Sequence, residues 1–186
     1  MEPSLFAKAR GIVYQHARPL EIRAASSEET QRLITLWKQK SAWWEMKGAK
    51  VWNLSQFSEE ALREKYDNPV YYICCENGEA AGGFILIDED RRYWPDKKDD
   101  RALYLHKFMV CNGYNGKGYA KVILDWVKQR GLSTGRDYIR LDYDNNREKI
   151  AKLYTENGFK IVELIRDESG KQMAKAEYRI ERAGGQ

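Results

Sequence analysis

Between Leu103 and Leu124 the chain reads LYLHKFMVCNGYNGKGYAKVIL, and no other stretch restricts its fold as tightly. Strand formers from Leu103 to Val110 pass through Gly113, Gly116 and Gly118 into a helix whose Ala120, Ile123, Leu124 and Val127 share one face. Alternation predicts Tyr104, His106, Phe108 and Val110 on one side of the strand and Leu103, Leu105, Lys107 and Met109 on the other. A strand that feeds an amphipathic helix through so short a turn belongs to a sheet that the helix covers. The amides from about Lys117 to Ala120 open the helix without internal acceptors, and the helix dipole adds partial positive charge there. Such an end holds a phosphate or pyrophosphate, and Lys117 adds a full charge. A bare connection is the alternative, but one glycine would serve for that and three are present.

Two phosphate loops are excluded. A P-loop needs Ser or Thr after Gly-Lys, whereas Gly118 follows Gly116-Lys117, and Cys111 stands where its first glycine belongs. A dinucleotide fingerprint needs a third glycine where Lys121 stands.

The other elements bracket this unit in the order β-α-α-β-β-β-α-β-α-β-β. Leu20 to Ala24 reads as a strand, and Ser26 with Glu29 forms a capping box for a helix striped by Leu33, Ile34 and Trp37. After the aromatic-rich span Ser41 to Phe57, Ser58 caps a second helix to about Tyr66, ended by Asn68-Pro69. Val70 to Cys75 and Ala81 to Ile87 form a hairpin about Asn77-Gly78, and Asp88 to Asp100 is a charged loop. Gly131 stops the helix that follows the glycine turn, and Tyr138 to Tyr143 is a strand. A helix from about Asn146 to Glu156 closes at Asn157-Gly158, and strands Phe159 to Ile165 and Met173 to Ile180 join through Asp167 to Gly170. This order predicts an α/β fold: a single mixed, mostly antiparallel sheet with helices on both faces. Residues 1–18 read as an N-terminal extension, 19–182 as a single domain, and the rest as a frayed tail.

Composition bounds the function classes. At 186 residues and 42% apolar side chains the chain can bury an ordinary core without disulfides or metal. Its +4 charge is spread among interleaved acids and bases, which argues against nucleic acid as a partner. No apolar run nears the roughly 20 residues of a membrane helix, and Met1 to Arg18 lacks a secretory pattern. Cys74, Cys75 and Cys111 make no CxxC pair and no zinc signature. The expected setting is cytoplasmic, with reduced thiols, no membrane and no metal.

Asn115-Gly116-Lys117-Gly118-Tyr119-Ala120 resembles the coenzyme A pyrophosphate loop of the GNAT superfamily of N-acetyltransferases, Gln/Arg-x-x-Gly-x-Gly/Ala. Gly118 and Ala120 match it; Asn115 departs from Gln or Arg, which removes a side-chain contact and leaves the amides. Downstream, LDYDNNREKIAKLYTENGFKIVEL is similar to the second GNAT motif, with Leu153-Tyr154 and Gly158-Phe159 at the family spacing and its Asn at Asn146 or Asn145. The resemblance spans about Val70 to Ile180.

The resemblance implies a GNAT-like acyl-CoA N-acyltransferase fold that uses acetyl-CoA. The strands before and after the glycine-turn helix splay, so that Phe108, Met109 and Val110 pair with the pantetheine arm. An amide near Val110 polarises the thioester carbonyl. Asn115, Gly116, Lys117, Gly118, Tyr119, Ala120, Asn146 and Tyr154 complete the cofactor contacts. Tyr154 is the implied acid beside the sulfur, its alternative role being a core aromatic. Some members place a basic Glu where Tyr104 stands; His106, two residues on, is either the base or a structural histidine. The acceptor side implies Trp43, Trp44 and Glu45, with Trp52 and Phe57, as an aromatic wall with a carboxylate for an organic amine. Asp88, Glu89 and Asp90 read as a solvated charge run able to steer a cation, and Asp142 and Asp144 as ordinary loop or edge residues unless they reach the acceptor cleft.

The expected reaction is direct attack of a small-molecule primary amine on acetyl-CoA in a ternary complex. A protein N-terminal or lysine acetyltransferase is the alternative within the fold, and an acyl-CoA-binding sensor the one outside it. A homodimer is compatible with an unpaired C-terminal strand.

Overall fold

The structure is a computed structural model that describes residues 20–97, 101–167 and 169–182. The extension expected over residues 1–18 lies outside these, as does Glu168 of the last turn. Seven strands form one sheet in the order β1-β2-β3-β4-β5-β7-β6. They are β1 (Glu21–Ala24), β2 (Val70–Glu76), β3 (Glu79–Ile87), β4 (Ala102–Val110), β5 (Tyr138–Asp144), β6 (Lys160–Arg166) and β7 (Gln172–Arg179). Every neighbouring pair is antiparallel except β4 and β5.

Helices α1 (Ser27–Met46) and α2 (Glu59–Lys65) cover one face, and α3 (Tyr119–Ser133) and α4 (Glu148–Glu156) the other. The capping box holds: the Glu29 amide donates to Ser26 Oγ at 3.2 Å, and the Ser26 amide to the Glu29 carboxylate at 2.9 Å. From there α1 runs through Trp43 and Trp44, so the aromatic-rich span begins as helix. Its Leu33, Ile34 and Trp37 pack with Phe57, Leu62, Ile73 and Ile85. On the opposite face Ile123, Leu124 and Val127 of α3 pack with Phe84, Leu103, Ile139 and Leu141. Helix α4 starts at Glu148, two residues later than its sequence pattern suggests, because Asp144 accepts the Asn146 amide and holds a turn there.

Two expectations are corrected. The C-terminal strand is not unpaired: β7 lies between β5 and β6, and β6 is the edge, with Ile161, Val162 and Leu164 about half exposed. The simple alternation of β4 also fails. Gly83 pairs with Met109 and Ile85 with His106, so two steps on β3 meet three on β4. This bulge has Lys107 at φ +50, an uncommon conformation for a side-chain-bearing residue. Phe108 and Val110 therefore join Leu103 and Leu105 on the α3 face, while Tyr104 and Met109 share the α1 face. Trp37 Nε1 donates to the Lys107 carbonyl at 2.8 Å and ties the bulge to α1.

The β3–β4 contact depends on a glycine. A Cβ on Gly82 would lie 2.5 Å from the Met109 carbonyl oxygen, an unyielding backbone atom. Gly82→Ala is expected to destabilise the fold by about 1–3 kcal/mol, read as a lower urea midpoint. An unchanged midpoint would show that the two strands separate freely.

Candidate active site

Strands β4 and β5 pair at only three rungs: Ala102 with Tyr138, Leu103 with Ile139, and Tyr104 with Arg140. Beyond them β4 stays with β3 as far as Val110, and β5 stays with β7 as far as Asp144. The bulge turns β4 away, and a V-shaped cleft opens. Its inner cavity of about 200 Å³ is lined by Leu105 to Phe108, Asp142 to Asp144, and Ile150 and Tyr154 of α4. The Cys111 amide bonds Ala81 on β3. By strand alternation, the backbone groups of Val110 turn to the opposite edge, toward the cleft.

A second cavity of about 180 Å³ adjoins it, lined among others by Trp44, Phe108, Met109, Val110, Asn115, Ala120, Arg147 and Tyr154. Beside it Gly116 and Gly118 take φ of +80 and +78, and Gly118 caps α3. Among the described residues, no backbone bond outside regular elements uses the amides of residues 116–120, so this end keeps donors for an anion. Nothing lies within 4 Å of a Cβ on either glycine, which leaves room for a ligand over the loop. Tyr119 is buried, and its hydroxyl donates to Glu76. Lys117 Nζ lies 2.8 Å from the same carboxylate, so its charge is balanced by Glu76, a partner the sequence did not reveal. Unpaired β4 backbone, a glycine-capped helix end and an adjoining slot fit a pantetheine arm with its pyrophosphate.

Asn146 is exposed and lines neither cavity; Asn145 donates to Gln172 at 3.1 Å. Arg147 lines both cavities instead, with its guanidinium 4.3 Å from the Trp44 ring. Trp44 thus sits on the cofactor side. Trp43 is half-buried against Trp44 and Glu45 is exposed, and neither lines the two cavities. Trp52 does line both.

Tyr154 lines both cavities and packs on Tyr143 and Phe159, with ring centroids 5.1 and 5.7 Å away. Burial, then the neighbouring Asp142, push its phenol well above the ordinary range, so it stays protonated and can donate. His106 is buried on the cleft wall, its ring 4.7 Å from that of Tyr66. Its Nε2 lies 3.1 Å from Asp90 Oδ2 and its Nδ1 3.6 Å from Asp142 Oδ1.

Asp90 departs from its sequence reading, and Asp142 meets the exception of reaching the cleft. Asp90 is not part of a solvated run: it is buried, and its Oδ1 accepts the amides of Arg92 and Tyr93 at 3.1 and 3.0 Å. Burial pushes its carboxyl up, but His106 and those amides outweigh it and hold it below the usual range. Asp142 is no ordinary edge residue, because burial first, and then Asp90, raise its carboxyl. The donor atoms of Asp90, His106 and Asp142 lie within 4.8 Å of one another, a spacing open to a metal. The carboxylates face opposite ring nitrogens, and Asp90 Oδ2, His106 Nε2 and Asp142 Oδ1 are buried without a hydrogen-bond partner among the described residues. Tyr104 lies behind the cleft, where its hydroxyl accepts from Arg140 at 3.1 Å.

Lys107 is the residue that sequence reasoning missed, because only the bulge turns it inward. It is 7% exposed, its Nζ donates to Gln56 Oε1 at 2.7 Å, and the Trp52 and Phe57 rings lie 5.3 and 4.9 Å away. Burial, then Lys65, push its ammonium down to about 7.

The profile of the acetyltransferase (GNAT) family matches residues 34–159. Among solved structures, a GNAT-family acetyltransferase from Listeria monocytogenes superposes with a TM-score of 0.68 at 19% identity, over 86% of this chain and 94% of that one. The spermidine N-acetyltransferase of Vibrio cholerae, in complex with CoA and spermine, gives 0.63 at 15% identity, over 87% and 95%. The ribosomal-protein-S18-alanine N-acetyltransferase of Escherichia coli gives 0.65 at 15% identity, over 89% and 97%.

Burial of Lys107 makes the stability of the fold depend on pH. Below the ordinary value of 10.5 the unfolded chain holds this proton more firmly than the folded one. The stabilising contribution is therefore complete above about pH 10.5, declines as pH falls, and is gone below about pH 7. Between those limits the parent's unfolding free energy should rise relative to Lys107→Met by up to about 1.4 kcal/mol per pH unit. Parallel pH profiles would mean that the folded lysine binds its proton normally.

Proposed function

The chain belongs to the acetyltransferase (GNAT) family, and from that premise we propose that it transfers the acetyl group of acetyl-CoA to a primary amine of a small molecule. The observation that carries this reading is the cavity between the parted β4 and β5, where a histidine flanked by two carboxylates and a protonated tyrosine line one space. Acetyl-CoA supplies an acetyl group activated as a thioester. The amides at the start of α3 bind its diphosphate, Val110 offers unpaired backbone to its arm, and the Val110 amide can polarise a carbonyl.

His106 takes a proton from the acceptor amine at Nδ1, the nitrogen on the Asp142 side. Asp90, held by two backbone amides, faces Nε2 and stabilises the charge that the ring gains. Tyr154 delivers a proton to the departing sulfur, and the burial that keeps its phenol neutral suits it to that step. Trp52 and Ile150 shield the space from water.

Thiol release from acetyl-CoA against a panel of primary amines tests the reading. Release should require an amine, and Tyr154→Phe should lower kcat by about 10²–10⁴ with coenzyme A still bound. Equal rates in parent and variant would remove the tyrosine from the chemistry. His106→Gln should lower kcat by a similar factor. An unchanged kcat in this variant would assign the proton transfer to another group.

A further inference from the structure

Among the described residues, the buried side chains with a basic nitrogen on a flexible stem are Lys107, Arg140 and Lys175. Arg140 lies 3.2 Å from the Glu177 carboxylate, and Lys175 lies 2.6 Å from that of Glu163. Lys107 differs from both, because no carboxylate of the described residues stands within ion-pair distance of it. Its Nζ donates instead to the neutral side-chain amide of Gln56, between the rings of Trp52 and Phe57. Burying an ammonium without a counter-charge is costly, and a lysine so placed gives up its proton readily. The Gln56 oxygen asks only for an N–H, which the neutral amine still has.

This amine stands in the space where acetyl transfer takes place. Lys107 lines the inner cavity with its chain neighbours His106 and Phe108 and with Tyr154 of α4. The bulge alone puts it there, at a positive φ that glycine would take without strain. The Trp37 indole then holds the bulge through the Lys107 carbonyl. Of the charged groups nearby, Lys65 of α2 pushes the ammonium further toward its neutral form and Asp142 of β5 opposes it, while Lys171 is taken up by Asp144 at 2.9 Å. With its value pushed down to about 7, a large share of Lys107 is a free amine at neutral pH. A desolvated lysine of this kind is an activated nucleophile.

We infer that Lys107 is itself an acetylation site: when no acceptor amine is bound, its Nζ takes the acetyl group of the acetyl-CoA held in the cleft. This rests on the acetyl-transfer reading, which puts the thioester in the inner cavity. A bond forms between Nζ and the carbonyl carbon as the carbon–sulfur bond breaks. Coenzyme A leaves as the thiol, its proton balanced by the one that the amine gives up, so no further reactant enters. The product is a neutral amide. Its N–H keeps the bond to Gln56, its methylenes keep their place between Trp52 and Phe57, and the buried charge is gone. The acetyl group extends into a cavity of about 200 Å³.

Incubation of the full chain with acetyl-CoA in an amine-free buffer tests it, with the acetyl occupancy of each lysine followed over time by peptide mass spectrometry. Lys107 should be modified about tenfold or more faster than the exposed Lys38 and Lys160, although solvent reaches it far less. An excess of an unreactive thioether analogue of acetyl-CoA should suppress modification of Lys107 and leave the two surface lysines at their former rates. An unmodified Lys107 would overturn the inference. So would a rate no greater than that of the surface lysines, or one that the analogue leaves unchanged. Thiol release with the panel of amines is read separately. Release with Lys107 unmodified would count against this inference alone, and a modified Lys107 with no release on any amine against the small-amine acceptor alone.

Discussion

The parting of β4 from β5 after the Tyr104–Arg140 rung is the constraint on which the rest of the molecule depends. Arg140 marks the place. It is 1% exposed, and a buried guanidinium is tolerable only when its donors are met. Here it donates to the Tyr104 hydroxyl and to Glu177 on β7, with the Trp94 and Tyr138 rings each 4.9 Å away. These contacts bind β4, β5 and β7 together at the root of the V. Above them the bulge at Lys107 carries β4 outward, and Trp37 holds it there. The unpaired edges that result cost hydrogen bonds in the bare fold, and a ligand with an extended amide arm can restore them.

Burial then sets the chemistry of the cleft. Excluding water favours the neutral form of every group, so it raises a phenol or a carboxyl and lowers an ammonium. Tyr154 and Lys107, on opposite walls of the V, respond in these opposite senses. Asp90 escapes because two amides and His106 replace the water it lost, whereas Asp142, lacking such amides, is raised. Two aspartates with the same ordinary acidity are thereby shifted in opposite directions by their surroundings.

Much of the architecture was legible in the chain. The capping box at Ser26, the Asn77-Gly78 turn and the helix stripes each act through residues a few positions apart, so they operate before any tertiary contact forms. The glycine turn was legible for the same reason: positive φ at Gly116 and Gly118 and a helix beginning at Tyr119 are local properties. The placement of β7 between β5 and β6 was not legible, since strand order depends on which edges meet in space. The composition of the cavity wall was not legible either. Glu45 and Trp43 lie close in sequence to Trp52, yet the end of α1 points them elsewhere.

What the sequence determined by itself was the set of elements, the glycine-capped helix start and the tyrosine at the close of α4, all fixed by short-range spacing. Only the tertiary structure decided which side chains share the cleft. One extra residue in β4 reversed the faces of that strand beyond His106 and turned Lys107 inward. Folding of the β3–β4 loop brought Asp90 behind a histidine sixteen residues away, and sheet pairing brought Asp142 to its other side. The physical reason is the same in each case. A local pattern fixes backbone conformation, but burial and charge pairing depend on neighbours that are distant in the chain.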